Sequence, residues 1–127
     1  MEIITHQGVD PEFCGNPLEV REDYSRVALL TTQRMAVDAK GLVHGGFVFG
    51  LADYAAMIAV NHPNVVLGSA EVKFIKPVSV GERVVAEARV DFIEGKKSKV
   101  YVSVARNDES VFEGVFICFN LDKHVLD

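Results

Sequence analysis

The stretch GLVHGGFVFGLADYAAMIAVNHP, Gly41 to Pro63, decides how the rest of the chain is read. Its residues 45–61 open on two glycines, are long enough for four helical turns, and are apolar nearly all round. A helix of that kind has to be enclosed on every side. Asp53 contradicts the pattern. Its same-face neighbours on a helix lie three and four positions away, and those are Phe49, Gly50, Ala56 and Met57. None can pair with a carboxylate, and an unpaired buried ion costs on the order of several kcal/mol. Such a residue is not kept for stability, so its partner has to come from outside the helix.

Working outward, the flanking segments read as strands. Residues 25–37, SRVALLTTQRMAV, are rich in β-branched and apolar residues, which suits a strand. Residues 1–24 carry the turn signals Gly8, Asp10-Pro11 and Gly15-Asn16-Pro17 and read as an irregular segment with room for a short helical turn. After the helix the period changes. Ala70, Val72 and Phe74 alternate with Glu71 and Lys73, and Val84, Ala86, Ala88, Val90 and Phe92 alternate with Glu87, Arg89 and Asp91, the period of half-buried strands. EGKKSK and NDES mark hairpin turns before VYVSVAR and VFEGVFICFNL. Consecutive strands on short connections favour antiparallel pairing. The expected fold is therefore α+β, a curved antiparallel five-stranded sheet wrapped around one long central helix, in a single domain over residues 1–127.

Composition narrows the function classes. A net charge of −5 and a pI near 5.3 lack the basic footprint that nucleic-acid binding requires. Cys14 and Cys118 lie far apart with no C-x-x-C pair, so neither a zinc site nor a disulfide framework is expected, and two reduced thiols in a cytoplasmic protein are. The N-terminus MEIITHQGVDPE has neither the basic flank nor the apolar core of a signal peptide. The most apolar run, 47–60, is shorter than the ~20 residues a membrane span needs and contains Asp53. A slightly positive mean hydropathy of +0.18 suits apolar surface that meets a second copy of the chain.

Element order and the motif HGGFVFGLAD together bring a family into view. From about Arg26 to Leu121 the chain resembles the hotdog-fold thioesterases, in particular the phenylacetic-acid-type and 4-hydroxybenzoyl-coenzyme A-type branch. The most specific part is a histidine and two glycines opening the central helix, His44, Gly45 and Gly46, with an acidic residue nine positions after the histidine, Asp53. FIKPVSVGERV resembles the family's bend between strands. The resemblance implies two copies with their sheets side by side and active sites at the dimer interface. There the acidic residue reaches a thioester bound against the other subunit's helix start.

The chemistry suits those residue types. A helix N-terminus offers unpaired backbone N–H groups and the positive end of the dipole, and glycine lets a ligand approach that backbone. By resemblance the N–H of Gly45 is the oxyanion donor, Gly46 permits the approach, and His44 orients the loop. Asp53 then acts as general base on water or attacks directly through a mixed anhydride. Apolar surroundings should raise its pKa. Asp38 departs from the pattern: six positions before His44, many members of the branch carry an asparagine. An ionised aspartate only accepts hydrogen bonds, so Asp38 either shapes the substrate site or caps its own turn. Ser69 faces either the site or solvent. Lys73, Lys76, Arg83 and the GKKSK turn either meet coenzyme A phosphates or form solvated surface. Phe47, Phe49, Met57 and Phe74 either line an acyl pocket or are plain core.

The expected activity is hydrolysis of acyl- or aryl-coenzyme A thioesters with no metal and no cofactor, coenzyme A being part of the substrate. The expected assembly is a homodimer, with a homotetramer as the further step, and no nucleic-acid or membrane partner. The rival is a non-catalytic acyl-coenzyme A-binding protein, because GSAEVKFIKPVSVGERVVAEARV also resembles the hotdog sensors of lipid-synthesis regulators. Those sensors lack the acidic residue at the position of Asp53 and carry a DNA-binding domain that the 24 residues before Ser25 are too few to form. The hydratase branch of the fold places its histidine and acid differently, and no such motif is present.

Overall fold

A computed structural model describes residues 1–127. The chain begins with a short helix α1 (Pro11–Cys14) and strands β1 (Asn16–Arg21) and β2 (Tyr24–Leu30). A 3-10 turn (Gln33–Met35) leads to the long helix α2 (Gly45–Val60). Four strands follow: β3 (Val65–Phe74), β4 (Arg83–Glu94), β5 (Lys97–Arg106) and β6 (Glu109–Asn120). All pairings are antiparallel, and the sheet order is β1-β2-β4-β5-β6-β3. This is the hotdog arrangement, a sheet curled around one helix.

The sheet has six strands where the periodicity predicts five. Residues 16–21 form an edge strand instead of irregular chain. NPLEVR hides only Val20 in part, so it carries no alternation that a sequence pattern could reveal. Pro17 is tolerated there because an edge strand has donors facing away from the ladder. The expected strand over 25–37 also ends early, at Leu30. Thr31 turns the chain by donating its hydroxyl to the Glu82 carbonyl at 2.7 Å and to the Ser79 carbonyl at 3.1 Å. The apolar residue Met35 is buried by a 3-10 turn rather than a strand.

α2 lies across the concave face and packs on β2, β4 and β5. Leu51, Ala52, Ala55, Ala56, Met57 and Ile58 are wholly buried, against Val84, Ala86, Val100, Val102, Val104 and Phe116. Alanine at four positions of the helix, 52, 55, 56 and 59, lets its backbone approach the sheet closely, and the strands supply the bulk. Burying a Val or Ile side chain contributes about 1.5–3 kcal/mol, so this layer contributes substantially to holding the helix in place. Two edges remain, β1 and β3. On β3, Gly68, Ser69, Ala70 and Glu71 are exposed. No helix is long and apolar enough to cross a membrane.

Candidate active site

α2 starts where His44 leaves extended backbone (φ −60°, ψ 128°) and caps it: Gly46 N–H donates to His44 Nδ1 at 2.7 Å. Phe47 N–H donates to the His44 carbonyl at 3.0 Å, and His44's own N–H is taken by the Met35 carbonyl at 2.8 Å. Gly45 is the first helical residue, and its N–H has no acceptor in the chain. It opens beside a groove of about 270 Å³ walled by Leu42, Val43, Val48, Phe74, Ile75 and Val78, among others. A Cβ on Gly45 would meet the Phe74 ring at 3.0 Å, and one on Gly46 would meet His44 Nδ1 at 2.8 Å. A side chain at Gly45 would therefore press on the Phe74 ring, and one at Gly46 would crowd the His44 ring that caps the helix.

Asp53 sits two turns further on. Its Oδ1 is closed to solvent and has no hydrogen-bond partner, and burial raises its carboxyl above the ordinary value. Asp53 lines a second cavity, of about 400 Å³, walled by Thr5 and His6 from the N-terminal segment, Asn64 to Leu67 at the start of β3, and His124 near the C-terminus. The buried Cys118 thiol is pushed up to about 12, mainly by desolvation and further by the Asp53 charge. Cys14 is raised first by desolvation, then by the charges of Asp10 and Asp53.

Eight residues at about 1.5 Å rise each put Gly45 and Asp53 about 12 Å apart along the helix axis. Within one chain they face different cavities. One small carbonyl group cannot touch both, so a joint site needs the Asp53 of one protomer and the helix start of another.

The remaining sequence candidates fall elsewhere. Asp38 is exposed, and its Oδ1 accepts from Lys40 N–H at 3.0 Å and Leu42 N–H at 3.2 Å, the geometry of a turn-capping aspartate. Ser69 lines a separate depression of about 470 Å³ on the sheet with Glu71, Lys99 and Ile117, away from both Gly45 and Asp53. Lys76 pairs with Glu109 at 2.8 Å. Of the apolar candidates, Phe74 lines the groove beside Gly45, Phe47 packs on Phe13 and Phe49 on Phe116, and Met57 is fully buried core. Sequence reasoning passes over Thr5, His6 and His124. They lie in segments with no hydrophobic period, and nothing but the fold brings them to Asp53.

Comparison with known proteins agrees with this fold. An uncharacterized protein from Pyrococcus horikoshii is 54% identical and superposes with a TM-score of 0.99, over 100% of this chain and 98% of that one. A variant of the phenylacetic acid degradation protein PaaI of Thermus thermophilus is 26% identical with a TM-score of 0.80, over 87% of this chain and 97% of that one. Among curated relatives, 91% of this chain is 53% identical to a quarter (25%) of the methylthioribose-1-phosphate isomerase of Aquifex aeolicus. Likewise, 75% of the chain is 33% identical to 48% of the transcription factor FapR of a Thermoanaerobacter species. The chain thus spans between a quarter and about half of the length of these curated relatives. The thioesterase superfamily model covers residues 40–113, which include the helix start, Asp53 and most of the wrapping sheet, and by that match the chain belongs to the thioesterase superfamily.

Proposed function

We propose that the protein hydrolyses acyl- or aryl-coenzyme A thioesters at a site shared between two protomers. One observation carries the reading: a buried, unpartnered carboxylate oxygen on Asp53, borne by a helix whose first N–H is also unpartnered. The exposed β3 edge is the seam along which two sheets continue into one. That pairing sets the Asp53 cavity of one protomer against the Gly45 groove of its partner. The Gly45 N–H then stabilises the developing oxyanion, a contribution of roughly 2.7–4 kcal/mol for one donor. His44 holds the loop by its bond to Gly46, and Asp38 holds the turn that precedes it. Asp53 takes a proton from the attacking water, or attacks the carbonyl itself. Its raised pKa makes it a stronger base than a free carboxylate, and both routes need it ionised. No metal or cofactor enters either route.

The second reading is acyl-coenzyme A binding without turnover, favoured by the likeness to FapR. Release of free thiol from short, long and aromatic acyl-coenzyme A thioesters separates the two. Hydrolysis by the wild type that Asp53→Ala abolishes supports the enzyme. Tight binding with no thiol released by either protein supports the sensor.

A further inference from the structure

The superfamily match begins at residue 40, yet part of the wall around Asp53 comes from the first ten residues. That segment is fastened to the far end of α2. Asn61, in the left-handed region (φ 53°, ψ 51°) at the helix C-cap, accepts from Ile4 N–H at 2.9 Å and donates to the Glu2 carbonyl at 2.8 Å. Ile3 and Val9 pack on the core on either side. Thr5 is only 4% exposed, and the chain then turns at His6, whose φ of 54° is uncommon for any residue but glycine. Thr5 Oγ1 and His6 Nδ1 lie 2.8 Å apart, which fixes the ring and commits one of its nitrogens. Nε2 makes no hydrogen bond within the protein, and the His6 side chain is among the residues lining the cavity.

From this arrangement we infer that His6 is a further residue of the Asp53 site and holds the attacking water through Nε2, opposite the carboxylate. The inference rests on the thioesterase reading. In the general-base route the water oxygen bonds to the carbonyl carbon and its proton passes to Asp53. When the C–S bond breaks, that proton goes to the departing sulfur, giving one acid and one thiol. His6 stays neutral throughout and only orients. Burial lowers its pKa, which favours the uncharged ring. The other titratable group facing the cavity is His124, no Lys, Arg or Glu lines it, and the Asp53 charge also raises the thiols of Cys14 and Cys118, which do not line it.

Three variants and a titration test this. His6→Phe keeps a ring but no hydrogen-bonding edge, and kcat should fall about tenfold with KM little changed, the effect of losing one hydrogen bond to a reacting group. His6→Gln restores a polar edge and should recover most of that loss. Following the His6 ring by NMR against pH needs no activity: in Asp53→Asn the midpoint should move down, since the carboxylate that favours the imidazolium is gone. An unmoved His6 curve, or a His6→Phe enzyme with wild-type kcat, overturns the inference while leaving Asp53 as base. If no thioester is cleaved, the thioesterase reading and the water-holding role fall together. A His6 midpoint that responds to Asp53 would then show only that the two residues share one cavity.

Discussion

The two places where α2 meets open space are built on opposite terms. At Gly45 the helix presents a bare donor to an apolar groove, with no side chain of its own and the positive end of its dipole outermost. At Asp53 it presents an acceptor to a cavity that two terminal segments wall in, eight residues along. A helix that served packing alone would cap the first and replace the second by leucine. The contrast shows a donor and an acceptor each left unsatisfied by its own chain, and each complementary to what the other lacks. Packing explains everything between them, from Leu51 and Ala52 outward to the valines of β4 and β5.

The sharpest way to break the contrast is to remove the acceptor. Asp53→Asn keeps the shape and drops the charge, and thiol release should fall by about 10²–10⁴, the usual worth of a general base. Stability should move the other way. Because Asp53 has a pKa above its ordinary 3.8 in the folded chain, the folded state holds that proton more tightly than the unfolded state does. Its contribution is therefore most favourable below the ordinary value and is lost as pH rises through the folded-state value. Asp53→Asn should abolish that fall, so that denaturation midpoints of the two proteins diverge as pH rises toward neutrality, with the variant the more stable. A variant less stable than wild type at neutral pH would mean that Asp53 has found a partner in the assembled protein.

Removing the donor comes next. Gly45→Pro deletes the N–H at the first helical position, where proline is well tolerated, and His44 already has the extended backbone that precedes a proline. Its ring would press on Phe74, so the informative comparison is with Gly45→Ala, which presses similarly but retains the N–H. Thiol release should fall about 10²–10³ further in the proline variant than in the alanine one. Equal rates in the two would leave the oxyanion without its donor and refute the role of this helix start.

A smaller effect separates the cap from the chemistry. His44→Ala loses the bond from Gly46 N–H, and chemical denaturation should report a loss of about 1 kcal/mol, typical of an N-cap. Activity should follow only as far as the Gly45 N–H is misaimed. If the stability is unchanged and turnover collapses, His44 belongs to the reaction and not to the cap.

The two regions are also unequally legible. The helix declares itself because all-round apolarity over sixteen residues (Gly45–Val60) has one physical meaning, and Asp53 stands out against it. Strands β4 and β5 declare themselves by an alternation that their burial follows, and β6 by a nearly continuous apolar run. β3 alternates in sequence, but at the sheet edge Ala70 and Phe74 are exposed rather than half-buried. β1 does not, because an edge strand that buries almost nothing leaves no period, and the 3-10 turn at Met35 hides inside a β-branched run. His6 and His124 are beyond reach for a different reason. They reach Asp53 from opposite ends of the chain, and sequence spacing carries no sign of that meeting. Asp38 shows the reverse: its two backbone hydrogen bonds make it a turn residue, a role its position alone leaves open beside the substrate.

The smallest effect probes the clamp that makes the N-terminal segment part of this comparison. Asn61→Gly keeps the left-handed C-cap, which glycine adopts without strain, and removes both side-chain bonds to residues 2 and 4. The segment packs through only a few apolar contacts, so global stability should change by less than about 1 kcal/mol, because local openings cost less than unfolding. The change should appear instead as faster amide exchange at Ile4 alone among the residues near α2, with a turnover loss resembling that of His6→Phe. An Asn61→Gly protein with a protected Ile4 amide and normal turnover would show that Ile3, Thr5 and Val9 suffice to hold the segment. Turnover that fell while Ile4 stayed protected would place the effect of Asn61 in the helix end itself.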